Sequence, residues 1–395
     1  MSPTPRRSGV LLLVIAIATI AMMLRAPIVA VAPVARTIGT DLGVSAAVVG
    51  LFTSIPVLAF AVCSPLAIAV VRRGGPDLAL TLSMIGAVAG CVVRSLDGLP
   101  TALIGTALIG VFLTIGNVVV PVVIARDFPP SRVHLMTGVY TSAINVGTMT
   151  VTVATAPLAA ATDWRTAIAV WGMFGVAALA AWVGLRGFRG AFLPAPRSES
   201  ADAAAGRPSV LRAGTTWVLG AAFAGQAFSY YAVTAWLPTL LTDRGFGSEA
   251  SGAIAAFFQV AGIAGGLLVP VLTTRVSIMS GALAVGLGWL TVPIGFLVAP
   301  ELWWLWCLIG GAAQGGGLTV VFIMVAALGG GPREITGRSG IVQGIGYGLA
   351  ALGPTIVGGV HEWTGDWTLP LLVILLAVLL FGVLGVGVAA RLRRA

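Results

Sequence analysis

The chain has 395 residues, 58% of them hydrophobic and only 9% charged, with a formal net charge of +9. A soluble domain is about 25% charged, so this composition cannot build a water-facing surface and lipid must be the solvent for most of the chain. The basic excess is entirely arginine, placed in short segments between apolar runs; it reads as a topology signal and not as a nucleic-acid surface.

A bilayer-spanning helix needs roughly 20 mostly apolar residues. The first such run follows Arg6 and Arg7 and is too long for a signal peptide, so it reads as a first transmembrane helix. In chain order the sequence predicts spans near 9–34, 45–71, 78–96, 100–125, 134–161 and 165–187. After a polar stretch they resume near 214–241, 249–274, 277–298, 301–328, 336–361 and 367–390. The fold class is therefore an all-α membrane protein with twelve transmembrane helices. Fifty-three glycines suit a bundle whose helix backbones approach closely. Cys63, Cys91 and Cys307 lie far apart inside apolar spans and read as packing residues, with no disulfide framework or metal spacing.

Arginine counts give the orientation. With the N-terminus inside, Arg72, Arg73, Arg126, Arg186, Arg275 and most of the others fall in cytoplasmic segments, and only Arg36, Arg165 and Arg244 fall in outer loops. That bias predicts two cytoplasmic termini in an inner (plasma) membrane. The Ala-, Arg-, Pro- and Ser-rich stretch 188–213 then becomes a cytoplasmic linker between a half at 1–187 and a half at 214–395. The halves echo each other. Gly50, Arg73 and Gly138 recur as Gly252, Arg275 and Gly340, each at a shift of 202, and Asp163-Trp164 is echoed by Asp366-Trp367. Two parallel six-helix repeats around a midplane site are the architecture of major facilitator transporters.

All thirteen acidic residues map to loops or helix ends. Ionisable groups deep in lipid are costly and tend to be functional, so their absence argues against a proton relay through an embedded carboxylate. His134 and His361 lie at span ends and read as interfacial contacts. One cation does lie deep: Arg25, roughly sixteen residues into the first span, about 24 Å along a helix. It could hydrogen-bond carbonyls freed near Pro27 and Pro33, or it could meet an anionic or electron-rich substrate group. Arg94, near the outer end of the third span, is expected to snorkel to the interface in a structural role. Polar side chains accompany Arg25. Thr141, Asn145, Thr148 and Thr152 form one stripe on the fifth span, next to Tyr140. Gln343 and Tyr347 stand at the equivalent positions of the eleventh, 202 residues on from Thr141 and Asn145. Gln226, Tyr230 and Tyr231 lie on the seventh span, and Asn117, Gln259 and Gln314 on the fourth, eighth and tenth. Each could instead be helix–helix glue. No P-loop, metal cluster or nucleophile elbow is present, so neither an enzyme nor a cofactor is expected.

These stretches resemble a known family. Leu24-Arg25-Ala26-Pro27, the run Asp41 to Phe60, Gly116 to Pro129, Arg132 to Gly147, Phe228 to Leu241, Ser339 to Pro354 and Trp363 to Leu372 are similar to the cyanate/2-nitroimidazole transporter family of the major facilitator superfamily. The resemblance covers essentially the whole chain. It implies transport of a small polar or anionic molecule, with Arg25 as a natural binding residue. Two departures stand out. Met23 takes the place of an amide before Leu-Arg, and Ala26 separates Arg25 from Pro27. The basic turn Arg72-Arg73-Gly74-Gly75 also lacks the aspartate that usually precedes it in the superfamily.

The expected function is a secondary transporter working by alternating access, as a monomer in the bilayer, on a small-molecule substrate. Two rivals remain at this point: a proton-coupled multidrug efflux antiporter of the same fold, and a membrane receptor that binds without transporting.

Overall fold

Proline sets the first departure from a plain bundle. In the computed structural model the described residues are 7–194, 214–328 and 332–394; the side chains of 7–10, 130, 131, 133–135, 137, 138, 141, 332–337 and 394 are outside that description. The first span opens as α1 (Arg7–Met23), stops, and resumes as the single turn α2 (Ala26–Val29). A 3-10 turn at Ala32–Val34 and then α3 (Ala35–Leu42) complete it. Pro27 has no N–H to offer the Met23 carbonyl, so the ladder of hydrogen bonds fails there. The predicted span 9–34 is thus one continuous crossing in sequence and an interrupted one in space.

The helices that follow are α4 (Ala46–Val62), α5 (Ser64–Arg94), α6 (Leu99–Asp127) and α7 (Pro130–Ala161). Next come α8 (Trp164–Ala169) and α9 (Met173–Phe192). Beyond 213 run α10 (Gly214–Asp243), α11 (Ser248–Arg275), α12 (Ile278–Val298) and α13 (Trp303–Ala327). The last are α14 (Pro332–Ala350), α15 (Leu352–Thr364) and α16 (Thr368–Arg394). Ten of the described helical segments are long and apolar enough to cross a bilayer, and α4 is a shorter apolar helix. With the 30-residue α10 they make up the twelve expected spans. Boundaries moved where backbone-special residues fall. Gly75 (φ 80°) breaks α5 between the second and third spans, and Gly187 (φ 69°) breaks α9 before one further turn that runs into the expected linker. Residues 195–213 of that linker lie outside the described ones.

The chain divides into two compact units, Met1–Val31 with Val62–Ala201, and Ala32–Ala61 with Asp202–Ala395. In the first, α5 lies along α6, α9 packs against α1 and α5, and α7 packs against α1 and α2. One end of this unit carries a network of residues far apart in sequence. Arg126 grips Asp77 with both terminal nitrogens, at 2.7 and 2.9 Å, and donates its Nε to Asp127 at 2.8 Å. Arg186 pairs with Asp77 at 2.9 Å and with Asp127, and lies over the ring of buried Trp182. The basic turn at Arg72–Gly75 has no acid before it; Asp77, just after it, serves the neighbouring arginines instead. Asp77→Asn should cost about 2 kcal/mol, between the exposed and buried ion-pair limits. Thermal unfolding followed by tryptophan fluorescence would show this as a Tm lower by several degrees; an unchanged Tm would remove the network from the stability account.

In the second unit α11 and α13 lie in backbone contact, while α10 packs against α14, α15 and α16. The hairpin 32–61 belongs here. A Cβ on Gly50 would come within 2.8 Å of the Pro354 carbonyl, so α4 meets α15 backbone to backbone. Ser54 and Thr355 share a hydrogen bond at 2.9 Å, and Glu362 accepts the N–H of Ala46 at 3.0 Å, capping α4 from another helix. Asp243, at the end of α10, pairs with Arg36 and accepts the indole N–H of Trp367 at 2.8 Å. His361 stacks on Trp367 and donates its Nδ1 proton to the Asp366 carbonyl at 3.0 Å. His361 is therefore a contact residue at a span end, as expected.

The echoed Asp-Trp pairs have matching local roles. Asp163 caps α8 by accepting the Thr166 N–H at 3.0 Å, and Asp366 accepts the Thr368 N–H at 2.7 Å at the start of α16. Both following tryptophans, Trp164 and Trp367, are buried. The hydroxyl and the N–H of Thr166 together hold the Asp163 carboxyl below its ordinary range.

Candidate functional site

Two helices of the first unit that carry expected polar residues approach the interruption in the first span. Arg25 sits at it as the N-cap of α2, with φ −127° and ψ −28°, and its side chain is half-buried. The Arg25 carbonyl takes the N–H groups of both Ile28 and Val29 at 3.1 Å. Two close approaches bring neighbouring helices to this point. A Cβ on Gly116 of α6 would lie 2.6 Å from Leu24 Cδ2, and one on Gly147 of α7 would lie 2.7 Å from Met22 Cα. Asn117 follows the first of these glycines and Asn145 precedes the second by two positions, and both side chains are half-buried. Tyr140 is half-buried on α7 as well, while the Thr141 side chain lies outside the described ones. Farther along α7 the stripe changes character. Thr148 and Thr152 are buried and return their hydroxyls to the carbonyls four residues back, each at 2.8 Å. They are satisfied within their own helix.

In the second unit the expected residues fall into two groups. Gln226, Gln259 and Gln314 are buried between helices. A Cβ on Gly262 would lie 2.5 Å from the Gln314 amide nitrogen, so that amide fills space the glycine leaves. The Oε1 of Gln259 has no partner among the described residues. Tyr231 is 3% exposed and belongs to the apolar core of this unit, with Tyr230 packed edge-on against it at 5.1 Å. Tyr230, Gln343 and Tyr347 are half-buried. Gln343 donates to Ser339 Oγ at 3.0 Å. The Tyr347 ring stands edge-on to Phe60 at 5.7 Å and to Phe223 at 5.3 Å.

Two expectations need correction. Arg94 does not snorkel: it is 0% exposed and donates Nη1 to the Pro27 carbonyl at 2.6 Å. The freed carbonyl predicted near Pro27 exists, but Arg94 serves it. Arg25 is accordingly not alone as a deep cation. Sequence offered one half of this signal, the proline, and nothing that pairs Pro27 with a residue 67 positions later. Two apolar grooves lie elsewhere, on the second unit. One of about 650 Å³ runs between Leu268, Leu272, Leu308 and Ile309, with Arg275 at its rim. Exposed leucines at 63% and 43% mark it as a lipid-facing surface, not a polar site.

The chain is 30% identical over 382 residues to the 2-nitroimidazole transporter of Escherichia coli, covering 95% of this chain and 94% of that protein. It is 24% identical over 358 residues to the cyanate transport protein CynX of the same organism, covering 88% and 89%. Among solved structures, a D-xylose-proton symporter superposes with a TM-score of 0.74 at 12% identity, over 97% of both chains, which is a likeness of fold. The Major Facilitator Superfamily pattern matches residues 11–329. A twelve-span helical chain with this match and these relatives is a multi-pass membrane transporter and not an enzyme, and it belongs to the major facilitator superfamily, within the cyanate/2-nitroimidazole transporter family.

Proposed function

We propose that this transporter moves a small anionic or strongly polar molecule, of the size and chemistry of cyanate, a small carboxylate or a nitroimidazole, by alternating access between a half at 1–187 and a half at 214–395. The observation that carries the reading is Arg25, a half-buried guanidinium at the break in the first span, with Asn117 and Asn145 on the two helices that close on that break. A guanidinium presents planar donors to an anion or nitro group, and we assign the amides of Asn117 and Asn145 to its orientation. Tyr230, Gln343 and Tyr347, half-buried in the second unit, are the residues we assign to substrate contact in that unit. The names of the two relatives support the class, since cyanate is a small anion and 2-nitroimidazole a small polar ring. The arginine bias supports two cytoplasmic termini, in the plasma membrane, for a monomer that needs no cofactor.

The test is a thermal-shift panel on purified protein with cyanate, benzoate, 2-nitroimidazole and an organic cation, followed by flux into proteoliposomes. A ligand at 100 times its Kd stabilises the folded state by about 2.7 kcal/mol. At least one of the first three should raise Tm and be transported. Stabilisation and flux by the organic cation alone would return the multidrug reading, and binding without flux would return the receptor.

A further inference from the structure

Arg94 is a fully buried guanidinium at the last position of α5. Burying a charge is costly, and an apolar side chain of similar size usually packs as well or better. No ion pair joins Arg94 to an acid among the described residues. Its Nη1 serves the Pro27 carbonyl, while Nε and Nη2 have no partner among the described residues. The negative end of the α5 dipole offsets part of the cost, but packing alone does not explain why the charge is there.

We propose that Arg94 is a positioning residue: it clamps the interrupted first span at Pro27 and so fixes where Arg25 presents its guanidinium. The proposal rests on the reading of Arg25 as the substrate's anchor. The turn α2 has four residues, far too few to hold itself, because helix nucleation is unfavourable. Its carbonyls are engaged in sequence. Arg25 takes Ile28 and Val29, Ala26 takes Ala30 at 3.0 Å, and Pro27, the next in line, takes Arg94. The last of these bonds is the one that comes from outside the segment.

The clamp is anchored at its other end. A Cβ on Gly105 of α6 would lie 2.5 Å from Arg94 Cα, and one on Gly90 would lie 2.8 Å from the Ile109 nitrogen. Ser83 donates to the Phe112 carbonyl at 2.6 Å, tying the same two helices again. A closely packed α5–α6 pair thus reaches across to Pro27, two residues from Arg25. An arginine suits the place because its long fork spans the distance from a helix end to a carbonyl on another span.

The experiment is hydrogen–deuterium exchange by mass spectrometry on the full chain in nanodiscs, comparing wild type, Arg94→Met and Arg94→Lys. Amides of Ile28 to Val31 should exchange at least about tenfold faster in Arg94→Met, with α7 and α9 unchanged, because one interhelical bond guards one turn. Arg94→Lys keeps the charge and one donor and should fall in between. It also carries the test if Arg94→Met fails to fold. Wild-type exchange at 28–31 in both variants, or faster exchange spread evenly over the first unit, overturns the clamp. The link to Arg25 is read separately, with cyanate, benzoate and 2-nitroimidazole as probes. The Kd of whichever binds should rise at least about tenfold in Arg94→Met, and less than about twofold further when that change is added to Arg25→Lys, as expected of residues acting through one another. Wild-type affinity in Arg94→Met overturns the link. If Arg25→Lys and Arg25→Ala both bind all three probes as wild type does, or no probe binds, the substrate reading fails, and the clamp is still decided by exchange.

Discussion

Arg25→Ala should weaken substrate binding by roughly 30- to 1,000-fold while leaving the protein folded and at normal abundance in the membrane. Truncating one partner of a desolvated, hydrogen-bonded charge pair costs about 2–4 kcal/mol. Little of that loss should appear in the ligand-free Tm, because the backbone of Arg25, and not its side chain, accepts the bonds that form α2. Arg25→Lys retains the charge but loses the planar fork, so it should fall between the two. The measurement is the Kd from titrated thermal shifts, checked by flux in proteoliposomes with the amount of inserted protein matched. Wild-type affinity in Arg25→Ala would end the role assigned to this residue and take the anion selectivity of the proposal with it.

The largest expected effect on stability lies in the second unit, at Gly265→Leu. Helices α11 and α13 touch through their backbones. A Cβ on Gly265 would sit 2.6 Å from the Ala312 carbonyl carbon, and one on Gly315 would sit 2.5 Å from the Gly262 carbonyl carbon. Neither neighbour is the tip of a flexible side chain, so the helix axes themselves would have to move apart. Lipid offers no hydrophobic force to hold them together, and close packing is what joins them. Overpacking costs about 1–3 kcal/mol and occasionally more, and a collision with backbone, to which Leu adds three carbons beyond Cβ, belongs at or beyond the upper end. Gly265→Leu should therefore yield little monodisperse protein. Gly387→Ala is the matched control, because nothing lies within 4 Å of its Cβ. It should be neutral or up to about 1 kcal/mol stabilising through helix propensity. Equal behaviour of the two variants by size-exclusion chromatography and thermal unfolding would refute the backbone-contact account.

Several local features were legible before any coordinates. Freed carbonyls near Pro27 were legible, because a missing N–H is a property of one residue, but the break in the first span was not, since 9–34 reads as one continuous apolar run. The two Asp-Trp echoes were legible as an internal repeat, and in the structure each acid accepts a backbone N–H at the start of a helix. Thr148 and Thr152 were grouped with Asn145 by spacing alone. Spacing could not say that their hydroxyls turn back to their own helix. Tyr231, chosen for its neighbour Tyr230, lies in the apolar core, since adjacent positions on a helix face different directions. Asp77 carries no local signal of its role, because it follows the basic turn where the superfamily's usual acid precedes it. The pairing that gives Asp77 its role spans 49 residues to Arg126.

By itself the sequence determined that the chain lives in lipid, crosses it twelve times and belongs among the transporters. Those properties follow from composition, segment length and residue order, which are additive along the chain. Tertiary structure decided what each buried polar group does. In sequence Arg25 lies deep in an apolar span and Arg94 near the end of one, three residues before Asp97. Folding buries Arg94 completely against a proline carbonyl and leaves Arg25 half-buried at the break. The reason is physical: the cost of a charge in lipid depends on which distant backbone group, helix end or cavity it meets, and only packing brings those together.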